Sequence, residues 1–261
     1  MCIIVYKPQG KQLPGTDTLR ACWDNNPDGA GIMWPDGNRV NIRKGFMTWP
    51  SFLEALDEAM SGIDAASTPV ALHFRIATHG AVVPGCCHPF AVKDSLAKMR
   101  MTEIGAEVGF MHNGTLSGLD TDDATSDSMA FAKSVLVPLK AMSGDLLGDE
   151  RALRIIEGST QGSRFLLMSK AGVVRTFGTW VEDRGILYSN FNYMPRPACK
   201  PALAGSAAYD AWAAFGEPDE SFARYGLFEA CKECPMLFEC AEYLPICTDD
   251  LQASEMVASF T

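Results

Sequence analysis

Cys2 is the first residue whose chemistry matters. Excision of Met1, normal before a small second residue, leaves a cysteine with a free α-amine. A thiol attacks only as thiolate and needs a base for its proton. An α-amine, with a reference pKa of about 7.7–8.0, can take that proton near neutrality. Nucleophile and base on one residue make the N-terminal-nucleophile arrangement.

Three further segments carry polar groups next to glycine or at a helix start. His73-Phe74-Arg75-Ile76-Ala77-Thr78-His79-Gly80 runs from a strand into a loop, where site residues concentrate. Arg75 presents a planar fork that suits a carboxylate; a surface ion pair would use it equally well. Gly109-Phe110-Met111-His112-Asn113-Gly114 places an Asn side-chain N–H beside a Gly backbone N–H, two donors of the kind an oxyanion needs. Asn-Gly is also a favoured hairpin turn. Ser126-Asp127 precedes a helical run, so the acid can cap that helix or bind a ligand.

The elements that must position these groups are legible in outline. Residues 2–6 read as a buried strand stopped at Pro8-Gln9-Gly10. Residues 30–34 and 39–44 flank Pro35-Asp36-Gly37-Asn38, a hairpin turn. From Thr48, an N-cap, a helix is predicted through Met60, with Phe52, Leu53, Leu56, Ala59 and Met60 on one face. Further strands are predicted over 70–76, 108–112 and 186–189, and a helix over 126–139 that closes near Pro138. Residues 164–168 and 173–177 form a second hairpin around Lys170-Ala171-Gly172. Hairpins mixed with helices, without regular βαβ alternation, indicate α+β layers. Met194-Pro195-Arg196-Pro197 opens a Pro/Ala-rich linker over 194–207, followed by a tail over 208–261.

Composition narrows the function. The 261 residues carry 32 acidic and 22 basic side chains, a formal net charge of -10. Nucleic-acid binding rests on Lys and Arg neutralising phosphates, so no nucleic-acid partner is expected. No run of apolar residues is long enough to span a membrane, and the apolar start is too short for a signal peptide. A cytoplasmic protein is therefore the expectation. Nine cysteines, an odd number, then read as thiols, ligands or a nucleophile.

Taken in order, these segments resemble the class II glutamine amidotransferases of the N-terminal-nucleophile hydrolase superfamily. The matching pieces are Cys2 after Met1, Asp28-Gly29-Ala30-Gly31, the 73–80 segment, His88-Pro89, His112-Asn113-Gly114 and Ser126-Asp127. They span roughly residues 2–193, as in the compact stand-alone form seen in phage and bacteria. The resemblance implies a four-layer αββα sandwich over 2–193, with a small Cys-containing tail. It also implies an enzyme hydrolysing L-glutamine to glutamate and ammonia through a γ-glutamyl thioester on Cys2. Asn113 and Gly114 would stabilise the oxyanion, Arg75 would hold the substrate α-carboxylate, and Asp127 the α-ammonium. Thr78, His79 and Gly80 would shape the adjoining loop. No cofactor is needed for that chemistry.

Two features depart from the family. The segment beyond residue 193 is too short and too cysteine-punctuated to resemble a synthase, so either an ammonia-accepting synthase is on another chain, or the protein is a bare glutaminase, or it has lost activity. Cys86-Cys87 has no role there, and Cys22 and Cys199 are read as buried or incidental. In the tail, Cys231, Cys234, Cys240 and Cys247 could hold a structural zinc ion or, second, an iron–sulfur cluster. Two other readings stand beside this one. The first is an N-terminal-nucleophile hydrolase of another amide; the second is a non-catalytic interaction module.

Overall fold

Ile3–Lys7 forms the first strand, β1, and Ile3, Ile4 and Val5 are fully buried. After it come α1 (Thr16–Asn25), β2 (Ala30–Pro35), β3 (Val40–Phe46), α2 (Trp49–Ser61) and β4 (Val70–Phe74). The middle of the chain holds β5 (Phe90–Ala91), α3 (Leu96–Met99), β6 (Glu103–Ala106) and β7 (Val108–Asn113). Beyond them lie α4 (Asp127–Phe131), α5 (Val137–Ser143), α6 (Glu150–Gly158), β8 (Arg164–Ser169), β9 (Val174–Phe177), β10 (Val181–Asp183) and β11 (Ile186–Tyr188). This computed structural model describes residues 1–64, 66–77, 81–122 and 125–195. The tail and most of the linker lie outside the described residues.

The fold is mixed α/β with two antiparallel sheets, of order β10-β11-β1-β4-β2-β3-β6 and β5-β7-β8-β9. Local chemistry explains the predicted parts. Asp36 Oδ1 accepts from the N–H groups of Asn38 and Arg39, both at 2.9 Å, closing the β2–β3 turn. Thr48 caps α2, whose Phe52, Ala55, Leu56 and Ala59 are buried, with Leu53 and Met60 partly so.

Strand periodicity sorts side chains onto faces. Ile3 and Val5 of β1, with Leu72 and Phe74 of β4, pack against Leu19 and Trp23 of α1 and Phe52 of α2. Their neighbours Ile4 and Ala71 point the other way and join Met111 of β7 and Leu166 and Met168 of β8. A third cluster joins Phe110, Phe165 and Leu167 to Met129 and Phe131 of α4 and Ile156 of α6.

The helix expected over 126–139 differs. Between α4 and α5 the chain makes a π-helical turn, Ala132–Leu136, and α5 then continues to Ser143. Pro138 has no N–H for the carbonyl four residues back, which in a regular helix breaks the ladder. The wider turn absorbs that mismatch, and the helix passes the proline. The strand expected over 70–76 stops at Phe74, because Arg75 leaves the ladder to bond Gly29 and Asp28. Nor did the sequence pattern reveal α1, α6, β5, β6 or β10. Those strands have two to four residues, too few for a period, and the N-cap of α1 is Gly15, which has no capping side chain.

Candidate functional site

A cavity of about 620 Å³ lies where β1 begins, β4 and β7 end and α4 starts. Cys2, Arg75, Gly114 and Asp127, drawn from four separate segments, all line it, together with Cys86, His88 and His112.

Cys2 is held by its backbone and by sulfur contacts. Its carbonyl accepts from Asn190 Nδ2 at 2.8 Å, and Asn192 Nδ2 donates to the Met1 carbonyl at 2.8 Å. The Ile76 N–H points at Cys2 Sγ, and Sγ faces the Ile76 carbonyl, both at 3.4 Å. Burial pushes the thiol up; the Ile76 contact, the chain's N-terminal charge and Arg75 oppose that rise. Asn190 and Asn192 are positioning residues that sequence reasoning missed. Their one signal is that Asn190 and Asn192 follow Ser189, the last residue of a predicted strand.

Arg75 is 7% exposed, which excludes the surface ion pair. Its backbone is clamped: its N–H donates to Gly29 O at 2.8 Å and its carbonyl accepts from Asp28 N at 2.9 Å. Asp28 Oδ2 also takes the Ala77 N–H at 2.8 Å. The Asp28-Gly29 segment therefore acts as a brace for residues 75–77. Arg75 Nη1 is buried and has no hydrogen-bond partner among the described residues.

Asn113 ends β7 and Gly114 follows it; the neighbours of β7 are β5 and β8, so the Asn-Gly pair is not a hairpin turn. Gly114 has φ +139°, a conformation side chains rarely adopt, and a Cβ there would run into Ser163 Oγ and lie 3.0 Å from Ser163 Cα. Replacing Gly114 with Ala should cost about 1–3 kcal/mol or more in a urea midpoint measurement. An unchanged midpoint would show that this close approach is not rigid. The Asn113 side chain does not line the cavity; its Nδ2 donates to Ser189 Oγ at 2.9 Å. Of the two expected donors, only Gly114 is therefore brought to the cavity.

Ser126 caps α4, its hydroxyl accepting from Met129 N at 3.3 Å. Asp127 is engaged locally: Oδ1 accepts from Ser128 N at 2.6 Å and Oδ2 from Leu116 N at 2.9 Å. It thus ties the 114–116 loop to the helix while still facing the cavity. Behind it, His112 Nδ1 lies 2.8 Å from Ser128 Oγ.

Three of the four histidines crowd this region. The rings of His73 and His88 are 4.4 Å apart, and those of His88 and His112 are 6.3 Å apart. Burial holds His73 down to about 3 and His112 down to about 4, with Asp127 pulling His112 back up. It also pushes His88 well below the usual imidazole range. All three rings are neutral at physiological pH. Lys44 is also buried; its Nζ donates to Met99 O at 2.6 Å and Gly85 O at 3.1 Å, and burial lowers it to about 7. Among the described residues, no group of three or more His, Cys, Asp or Glu side chains could hold a metal ion. Thr78, His79, Gly80 and the tail thiols Cys231, Cys234, Cys240 and Cys247 lie outside the described residues. No described helix is long and apolar enough to cross a membrane.

No protein-family model and no curated protein matches this chain. Among solved structures it is similar to the glutamine phosphoribosylpyrophosphate (PRPP) amidotransferase from B. subtilis complexed with ADP and GMP. The identity is 14% and the TM-score 0.40, over 72% of this chain and 41% of that one. This chain therefore spans about two fifths of that enzyme's length.

Proposed function

We propose that residues 2–193 form a class II, N-terminal-nucleophile glutamine amidohydrolase domain of the compact stand-alone kind. The observation that carries the reading is the single cavity shared by Cys2, Arg75, Gly114 and Asp127. A zwitterionic amino acid asks for one cation and one carboxylate, and its side-chain amide asks for a nucleophile and oxyanion donors. The three apolar clusters, with helices against each sheet and a third cluster joining Ile4 and Ala71 to Met111, support the αββα layering.

Once Met1 is removed, Cys2 attacks the amide carbon and its α-amine takes the thiol proton. The Gly114 N–H receives the developing oxyanion; Asn113 joins it if its amide turns from Ser189. Such a donor is worth roughly 10²–10³ in turnover. Arg75 holds the α-carboxylate and Asp127 the α-ammonium, with Thr78, His79 and Gly80 shaping the loop beside them. The α-amine returns its proton to the departing ammonia, and water then releases glutamate from the thioester. The ammonia passes to a synthase on another chain. The tail is proposed to hold structural zinc through Cys231, Cys234, Cys240 and Cys247, with no part in the chemistry.

The test is glutamate release by protein whose N-terminus is verified as Cys2. Turnover is expected in the native protein, alone or with its synthase, and Cys2→Ala should abolish it. Turnover that survives Cys2→Ala would remove this mechanism. A second reading, an N-terminal-nucleophile hydrolase of another amide, is favoured by one observation. Both Asp127 oxygens already accept hydrogen bonds from the protein. Another amide cleaved faster than glutamine, with Asp127→Asn leaving its rate unchanged, would support that reading.

A further inference from the structure

Four thiols lie among the described residues: Cys2, Cys22, Cys86 and Cys87. Their surroundings differ sharply. Cys22 is fully buried in the apolar cluster beneath α1, and burial raises its pKa. Cys87 is also fully buried; a Cβ on Gly29 would lie 2.6 Å from its sulfur. Its thiol faces the carbonyls of Val83 at 3.9 Å and Asp28 at 4.0 Å. Cys86 is buried too, but 7% exposed. It ends a short 3-10 turn, Pro84–Cys86, and its side chain lines the same cavity as Cys2. The turn is held in place by the Cys86 N–H on Val83 O at 3.1 Å and by Lys44 Nζ on Gly85 O at 3.1 Å.

We propose that Cys86 is a resolving thiol for Cys2: peroxide oxidises Cys2, and Cys86 then closes a disulfide across the cavity, blocking the site reversibly. The Cys2 thiolate attacks one peroxide oxygen; an S–O bond forms, the O–O bond breaks, and the leaving hydroxide becomes water with the thiol proton. The Cys86 thiolate then attacks the sulfenic sulfur; the S–S bond forms and the S–O bond breaks, releasing a second water. Two electrons leave the thiol pair, and hydrogen peroxide is reduced to two waters. Burial raises the Cys2 pKa, and the Ile76 N–H and the Arg75 guanidinium oppose that rise only in part, so the reactive thiolate is a minor form that peroxide draws on. Without a resolving thiol, a sulfenic acid passes on to sulfinic acid, which ordinary reductants do not reverse. Formation of the bond rests on the shared cavity alone, and its effect on turnover rests on the glutaminase reading.

The experiment treats the full chain with hydrogen peroxide, alkylates remaining thiols and maps the peptides by mass spectrometry. The expected result is a peptide joining Cys2 to Cys86, lighter by two hydrogens and separated by dithiothreitol, with glutamine turnover lost and then restored in step. In Cys86→Ser, basal turnover should be unchanged, but peroxide should drive Cys2 to the sulfinic acid and leave little recoverable activity. Absence of any linked peptide in the wild type would overturn the proposal, as would a Cys2–Cys87 link. So would a Cys86→Ser variant that recovers as fully as the wild type. The wild-type peptide map needs no variant and no turnover, so it decides the disulfide even if glutamine proves not to be the substrate.

Discussion

Arg75→Ala should raise KM for glutamine and lower kcat/KM roughly 30- to 3,000-fold while leaving the folded protein no less stable. The two halves of that expectation share one cause. Arg75 is 7% exposed, and its Nη1 has no hydrogen-bond partner among the described residues. A buried charge without a partner costs free energy in the folded state. Removing the guanidinium relieves that cost, so the melting temperature should stay level or rise. With substrate bound, the same group is proposed to hold the α-carboxylate, and truncating one side of a buried charge pair costs about 2–5 kcal/mol. Each 1.4 kcal/mol is about tenfold in binding. The contact is present before and during reaction, so the loss should fall on KM more than kcat. Arg75→Lys should recover only part, since an ammonium cannot reproduce the planar fork. An amide substrate without an α-carboxylate should be indifferent to either change. The proposed role fails if Arg75→Ala lowers the melting temperature by several degrees while KM stays constant. That pattern would make Arg75 a structural residue.

Acidification should unfold the protein from an unusually high pH. His73, His88 and His112 are neutral and buried, and burial is the first cause of each depressed pKa. In the unfolded chain each imidazole binds a proton near pH 6.5. Below that value the unfolded state gains protons that the folded state does not bind, so stability is complete above pH 6.5 and falls as pH drops. The fall continues toward about 4 for His112 and about 3 for His73. By pH ~4.5 those two rings alone account for about 5 kcal/mol. His88 adds to the loss in the same direction. That approaches the whole stability of many domains, about 5–15 kcal/mol. Carboxylates do not explain a loss in this window. Asp36, Asp64, Glu107 and Asp149 are held by hydrogen bonds below their ordinary values of 3.8 to 4.5, so the stability they contribute is lost only as pH falls through those ordinary values and below, beneath most of this window. Urea midpoints measured from pH 7.5 to 4.5 should decline steadily below 6.5. A flat profile to pH 4.5, or assigned imidazole NMR resonances of His73, His88 and His112 titrating above pH 6, would remove the argument.

Much of the frame was legible before any coordinates. The β2–β3 turn arises from Asp36-Gly37, because an Asx side chain and a glycine meet local requirements that need no distant partner. The helix from Trp49 arises from Thr48 and an apolar stripe, and the β8–β9 hairpin from Gly172 with its positive φ. Where several readings competed, local pattern could not choose. Asn113-Gly114 is as good a hairpin turn as a strand end, and only the pairing of β7 with β8 separates them. Arg75 is as good a surface cation as a buried one, and only the strands around it decide its burial. Pro138 is a stop signal in one dimension and a residue inside a helix in three.

Sequence alone determined the inventory: a cysteine able to expose its own amine, one guanidinium, one carboxylate and a strand-ending glycine, each beside a turn or cap that its neighbours encode. Tertiary structure decided their association and their states. The cavity joins residues 2, 75, 114 and 127, turns the Asn113 amide toward Ser189, neutralises three histidines and brings Cys86 to the wall it shares with the nucleophile. The physical reason is range. Capping, turn propensity and strand period act over a few residues and can be read along the chain. Desolvation and contacts between residues dozens of positions apart depend on which surfaces two sheets bury together, and that exists only once the chain has folded.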